Sequence, residues 1–252
     1  MEDYLKLLID LHKSAKRQGP GGDEETTKIL NLAQLKQAKQ LKIADIGCGT
    51  GSASISLASQ LNAKITAVDI LPEFLDVLKD NAENAGVSEI IDTLVCSMDD
   101  LPFSHKEYDV IWSEGAIYNM GFEKGVNDWK RYLKPGGLLV VSEITWLTQE
   151  RPSEIQKHWN AEYPEINTAS AKIQILEKAG YSPVAYFFLP EHCWLDNYYR
   201  PMQKHFTKFL EGNENSKSAQ AIVEAEKKEI DLYERHKKYF SYGVHIAKRL
   251  DQ

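Results

Sequence analysis

The segment Ala44-Asp-Ile-Gly-Cys-Gly-Thr-Gly-Ser52 constrains this chain more than any other. An apolar run, Leu41–Ile46, leads into it. An amphipathic stretch, Ser52–Leu61, leaves it with Ile55, Leu57 and Leu61 available for burial. Strand, glycine turn and helix together open a β-α-β unit, in which glycines permit the sharp turn and the helix N-terminus offers N–H groups to a ligand. The pattern then repeats. Strands are predicted over Ala63–Asp69, Ile90–Cys96, Tyr108–Trp112 and Leu138–Ile144. The helix Pro72–Ala85 has proline near its start, where the missing N–H costs nothing, and Gly86 stops it. A further helix, Gly125–Leu133, is predicted to end at Lys134-Pro-Gly-Gly137, and Ala171–Ala179 is helical between strands.

Repeated β-then-α units predict a parallel sheet with right-handed crossovers, buried on both faces. Later strands are predicted over Pro183–Leu189 and Tyr239–Ala247. The expected architecture is α/β: a Rossmann-like, seven-stranded, mostly parallel, doubly wound sheet, with an N-terminal helical lid and a helical insertion before the last strand. Three segments stand outside the alternation. Residues 1–38 hold two helical stretches joined by Gln18-Gly-Pro-Gly-Gly22, with Asp23 read as the N-cap of the second. Residues 147–167 are polar with two prolines, and 190–238 are aromatic-rich and then strongly charged. The reading is one domain over 1–252, with 1–38 as lid and 147–167 and 190–238 as cap insertions.

Acids outnumber bases 37 to 30, for a net charge of −7, which disfavours a nucleic-acid partner that would need a basic excess. Cys48, Cys96 and Cys193 are odd in number and far apart, a pattern of the reducing cytoplasm. The N-terminal stretch lacks the basic and apolar regions of a signal peptide, and no apolar run approaches the ~18 residues of a membrane span. No CxxC, His/Cys cluster or HExxH pattern marks a metal, and none is expected.

The glycine spacing is GxGxG rather than the GxGxxG of a dinucleotide fingerprint, whose last glycine is here Ser52. Asp45 sits inside the turn, where a carboxylate opposes a pyrophosphate and suits a cationic amine. Asp69 ends the next strand at the ~20-residue distance at which a carboxylate grips ribose hydroxyls. Together they describe a ligand with a ribose and a positive charge.

These residues resemble motifs I and II of the class I S-adenosylmethionine-dependent methyltransferases. Ser97-Met-Asp-Asp-Leu-Pro-Phe103, Tyr108-Asp-Val-Ile-Trp112 and Leu133-Lys-Pro-Gly-Gly137 are similar to the later motifs of that family, in the family's order, over residues 40–145. The style is closest to the small-molecule branch that includes the ubiquinone and menaquinone biosynthesis C-methyltransferases. Lys16-Arg-Gln-Gly-Pro-Gly21 and Ser113-Glu-Gly-Ala-Ile-Tyr-Asn119 are similar to prokaryotic members without an assigned substrate.

The resemblance implies S-adenosylmethionine as cofactor and S-adenosylhomocysteine as product. Gly47 and Gly49 would pass beside the methionine part, with Cys48 a small loop residue between them. Asp45 would hold the ammonium and Asp69 the ribose. Ile70 or Leu71 would pack on the adenine. Met98 would offer its backbone N–H to the adenine, and Ser97 or Asp99 would read its amine. Glu114 would lie near the methionine end, and Gln18 and Gly19 would also contact the cofactor.

The acceptor site is expected over the strand ends. Its candidates are Trp112, Tyr118, Glu143, Trp146, Trp194, Tyr198 and Tyr199, with His192, His12 and Tyr118 as candidate catalytic groups. The partner is a small-molecule acceptor, with no nucleic acid or membrane, and the oligomeric state is open. Competing readings are a protein or RNA substrate with the same cofactor, a nicotinamide-dependent oxidoreductase, and a silent cofactor-binding module.

Overall fold

The computed structural model describes residues 2–38 and 40–250; Met1 of the expected lid segment, Lys39 and the last two residues lie outside them. The chain opens with α1 (Glu2–His12) and α2 (Asp23–Leu32). The alternating core follows as β1 (Leu41–Ile46), α3 (Ser52–Gln60), β2 (Ala63–Asp69), α4 (Pro72–Asn84), β3 (Ile91–Val95), β4 (Tyr108–Glu114), α5 (Phe122–Trp129) and β5 (Leu133–Trp146). Then come α6 (Ser153–Glu162), a two-residue β6 (Asn167–Thr168), α7 (Ala169–Lys178) and β7 (Tyr181–Phe188). Last are α8 (Glu191–Trp194), α9 (Arg200–Gly212), α10 (Lys217–His236) and β8 (Phe240–Arg249).

The principal strand order is β3-β2-β1-β4-β5-β8-β7, with β6 beside the end of β5. Strands β3 through β5 run parallel. Adjacent residues serve opposite faces, as the period of two requires. Ile43, Val110 and Val140 join a core with α2, α3 and α4, whereas Ala44, Ile111 and Val141 join one with α5 and α7. β1 and β4 are neighbours although two strands intervene in sequence. That is the topological switch point, where the carboxyl ends of parallel strands leave a crevice.

The sheet is mostly parallel, as expected; its antiparallel strand is β8, which lies between β5 and β7 and pairs Val140 with Ile246 and Phe187 with Val244. Several other elements differ from the sequence reading. The Lys134-Pro-Gly-Gly137 segment does not separate helix from strand. β5 runs through it, and a bulge opposite Tyr108 and Val110 absorbs the irregular backbone. The helix before it starts earlier, at Phe122, and stops at Trp129. Residues 147–167, polar with two prolines, contain a full helix, α6, that the sequence reading did not assign. Asp23 is not an N-cap: Gly22 holds that position, and the Asp23 carboxylate is drawn to Lys16 at 2.6 Å and Arg17 at 3.3 Å.

α1 packs on α9 and α10 above the strand ends, and Asn213 donates to Asp10 at 2.9 Å across that contact. The connection from α1 to α2 thus passes over the glycine turn.

Candidate functional site

The turn after β1 is held by what it touches. Gly47 and Gly49 have φ of +75° and +55°, a region costly for residues with a Cβ. A Cβ on Gly47 would overlap the Ala116 methyl, and one on Gly49 would overlap the Gln18 amide oxygen. Gln18 is the clasp between the N-terminal segment and the turn. Its oxygen accepts from the Thr50 backbone N–H at 2.9 Å, and its amide nitrogen donates to the carbonyls of His12 and Ala15 at 3.2 and 3.1 Å.

Asp69 accepts one backbone N–H on each oxygen, Gly49 at 2.9 Å and Leu71 at 3.0 Å. Burial raises its pKa, and these N–H groups oppose the rise. Asp45 is fully buried under the turn and accepts from the Ser54 hydroxyl at 2.6 Å. Burial pushes its carboxyl up to about 7; the Ser54 hydrogen bond opposes this, and the charges of Glu114 and Asp69 add to it. Glu114, at the end of β4, is compensated. Arg17 donates to it at 2.8 Å and the Trp112 indole at 3.0 Å.

These groups line a cavity of about 610 Å³. Gln18, Gly19, Asp45, Gly47, Cys48, Gly49, Asp69, Ile70, Ser97, Met98, Asp99 and Glu114 all reach it, and so do His12, Tyr118 and Tyr198. The Cys48 thiol is buried beside Asp45 and Asp69; burial first, then those charges, push it far up, so it does not form a ready nucleophile. Asp99 pairs with Lys124 at 2.7 Å, and the Ser97 hydroxyl accepts the Asp99 N–H at 3.3 Å.

A second cavity, of about 870 Å³, adjoins the first. The two share Gln18, Gly19, Pro20, Gly115, Tyr118 and Tyr198 as a common wall. The far wall comes from α6 and α10, with His158, Trp159, Tyr163, Glu229, Trp194 and Tyr242. Glu229 accepts from the Tyr199 hydroxyl at 2.9 Å; burial, and then the Glu226 charge, raise its pKa. Tyr198 and Tyr199 lie in a π-helical turn, Leu195–Tyr199, that aims the first at both cavities and buries the second on Glu229.

The structure does not bring every expected residue to these cavities. His192 faces Glu25 at 3.2 Å in a separate crevice, because α8 turns its side chain toward α2. Glu143 is fully buried on the ammonium of Lys172 at 2.7 Å and accepts from Tyr163. Trp146 packs on Phe240 with Arg151 over its ring, and Trp112 is core beneath β4. Tyr199 lines neither cavity. Trp194 and Tyr198 do contribute, the former to the second cavity alone.

Other wall residues were missed. Arg17 lies in the Lys16–Gly21 motif, but nothing in that stretch singles out its guanidinium from a surface cation. Glu229 had a signal: Ala225, Glu229 and Leu232 follow i, i+4, i+7 spacing, which puts one carboxylate of a charged stretch on an inward face.

A family model for a methyltransferase domain matches residues 44–141, the span from β1 to β5 that carries the glycine turn, Asp69 and Glu114. That span carries the marks of a class I, S-adenosylmethionine-dependent methyltransferase domain. Tocopherol O-methyltransferase of Arabidopsis thaliana is 26% identical over 184 residues, 72% of this chain and 48% of that one. A ubiquinone/menaquinone biosynthesis C-methyltransferase of Ralstonia pickettii is 27% identical over 140 residues, 54% of this chain and 57% of that one. The chain spans about half the length of the curated relatives it matches. The fold as a whole is similar to a methyltransferase of Geobacter sulfurreducens solved with S-adenosyl-L-homocysteine, with a TM-score of 0.84 at 18% identity over 96% of this chain and 97% of that chain. The match over this span displaces the nicotinamide reading of the glycine turn. Among the described residues no helix is long and apolar enough to cross a membrane.

Proposed function

We propose that this methyltransferase moves the methyl group of S-adenosylmethionine to a small-molecule acceptor held in the second cavity. The observation that carries the reading is the shared wall. Ligands in the two cavities meet across Gly19, Gly115, Tyr118 and Tyr198. The residues of the first cavity suit this cofactor. The cradle at Gly47 and Gly49 has no room for side chains, and Asp69 keeps lone pairs free after accepting two backbone N–H groups.

When bound, the cofactor supplies an electrophilic methyl group on a sulfonium. In this reading Asp69 takes the ribose hydroxyls, Asp45 and Glu114 face the ammonium, and Ile70 and Leu71 flank the adenine. Ser97, Met98 and Asp99 follow its edge. The lid and the late helices act as a cap that holds the acceptor and excludes water. Positioning of this kind can lower a barrier by roughly 7–11 kcal/mol. Tyr118, on the common wall, orients the acceptor. His12, stacked 6.4 Å from Tyr198, and His158, whose pKa burial lowers, are placed to accept a proton where the acceptor must lose one.

The test is parallel calorimetry and thermal shift with S-adenosylmethionine, S-adenosylhomocysteine and NAD⁺, followed by a methyl-transfer screen over phenols, amines and carbon acids. A ligand at 100 times its Kd stabilises the native state by about 2.7 kcal/mol. Stabilisation by both sulfur ligands and labelled product from one acceptor class is expected. Binding of NAD⁺ alone, or cofactor binding with no transfer to any small acceptor, would overturn the proposal.

A further inference from the structure

Where α2 meets α8, outside the linings of both cavities, three side chains of different chemistry converge. Glu25 comes from α2, and His192 and Cys193 come from α8. The His192 Nε2 lies 3.2 Å from a Glu25 oxygen and 3.7 Å from the Cys193 sulfur. All three donor atoms fall within 4.8 Å of one another. Glu25 and Cys193 are buried at 8% and 0% exposure, and the second Glu25 oxygen is sealed from solvent with no hydrogen-bond partner. A buried oxygen left without a partner is costly, and native structures generally satisfy such atoms. Here the atom belongs to the cluster itself.

The spacing is what a tetrahedral cation requires. Zinc binds nitrogen at ~2.0–2.1 Å, carboxylate oxygen at ~2.0–2.2 Å and sulfur at ~2.3 Å, which sets neighbouring donors roughly 3.2–3.8 Å apart around the ion. The His192–Glu25 and His192–Cys193 separations of 3.2 and 3.7 Å fall in that window, and the Glu25 and Cys193 donors lie within 4.8 Å of each other. The donor set is one carboxylate, one imidazole and one thiol. It suits a borderline-soft ion of the zinc, cobalt or ferrous kind and does not suit magnesium or calcium, which take oxygen. A crevice of about 560 Å³, containing Glu25 and His192 with Asp23, Glu24 and Asp196 at its walls, provides an entry path. The cations beside it, Lys16 and Arg17, are both engaged by Asp23.

We propose that Glu25, His192 and Cys193 form a binding site for a single divalent cation of the zinc class, with water in the fourth position. The Cys193 thiol releases its proton to solvent as the metal–sulfur bond forms. The ion ties α2 to α8, joining the N-terminal lid segment to the late helices at a point that no sequence motif links. Without a metal, the same groups would form only a His–carboxylate ion pair beside a thiol.

The two states are separable by cobalt spectroscopy on the full chain after chelator treatment. Co²⁺ is expected to give a near-ultraviolet thiolate charge-transfer band and the intense visible bands of four-coordination, both erased by Zn²⁺. Cys193→Ser should lose the charge-transfer band, whereas Cys48→Ser and Cys96→Ser should keep it. Glu25→Gln and His192→Ala should each weaken Co²⁺ binding at least tenfold. Because His192 is half-exposed, its variant tests the site even if a change at buried Cys193 prevents folding. Absence of a thiolate band at millimolar Co²⁺, its persistence in Cys193→Ser, or unchanged affinity in His192→Ala would overturn the proposal.

Discussion

The two cavities share a wall but are built by opposite means. The first is assembled from the carboxyl ends of β1, β2 and β4, and its polar groups belong to short contiguous segments. The second is assembled from α6, α10 and the π-helical turn, with Gly115 on one side and Glu229 on the other. In the first, backbone geometry creates the site, and side chains complete it. In the second, the site is side-chain surface that helix packing happens to face inward. A strand-end cavity can therefore hold one ligand type while the helical one is rebuilt for different acceptors.

The sharpest way to break the comparison is Asp69→Ala. Loss of two hydrogen bonds to a charged group, each worth ~1.5–3 kcal/mol, should weaken S-adenosylmethionine binding roughly hundredfold in calorimetry, with an unchanged far-ultraviolet spectrum. Unaltered affinity would remove the ribose assignment.

Next in size is Arg17→Ala, which removes the tie between the lid and β4 and leaves Glu114 uncompensated. Breaking a buried pair costs ~3–5 kcal/mol; because Glu114 is partly open to the cavity, about 2 kcal/mol is expected in denaturant unfolding. Adding Glu114→Gln should recover part of the loss. Additive losses would mean that the two charges are not coupled.

Much of the first cavity was legible because its determinants lie within a few residues of one another. Gly47, Gly49 and Asp69 could be named from spacing, and the order of strands and helices followed from period. The second cavity was legible only in part: Tyr118, Trp194 and Tyr198 stood among the acceptor candidates, but the rest of its wall did not. Glu229 and Tyr118 are brought together by a helix packing on strand ends more than a hundred residues away, and no spacing rule encodes that. Trp146 and Glu143 show the reverse error. Aromatic and acidic residues at a strand end suggested a site, but β8 covers that end of β5, and the side chains serve the core. Arg17 escaped notice because its role depends on Glu114, a partner 97 positions distant.

A smaller effect comes from pH. The Asp45 carboxyl is raised from an ordinary 3.8 to about 7, so the ligand-free fold binds an extra proton between those values. Its contribution to stability is therefore complete below the lower value and is lost as pH rises through the upper. Ligand binding runs the other way, since a cationic ammonium needs the carboxylate. Affinity for S-adenosylmethionine should fall about tenfold from pH 8 to pH 6, one pH unit being worth ~1.4 kcal/mol at full linkage. Asp45→Asn should flatten that profile; a slope that survives the substitution would assign it elsewhere.

The smallest expected change sharpens the division most. Glu229→Gln should leave cofactor Kd within about twofold while raising acceptor KM several-fold, since single polar contacts are worth ~0.5–1.5 kcal/mol. An equal effect on both constants would mean that the cavities act as one.

The position of β8 has a consequence for synthesis. Nine residues of β5, from Leu138 to Trp146, pair with it, yet β8 follows the helices that separate it from β7. A ribosome adding ~5–20 residues per second leaves that edge of β5 open for roughly 5–20 s after the strand itself is made. An open apolar edge is a template for wrong pairing with another chain. The risk of aggregation in this protein thus concentrates in the interval between making a cofactor fold and sealing it.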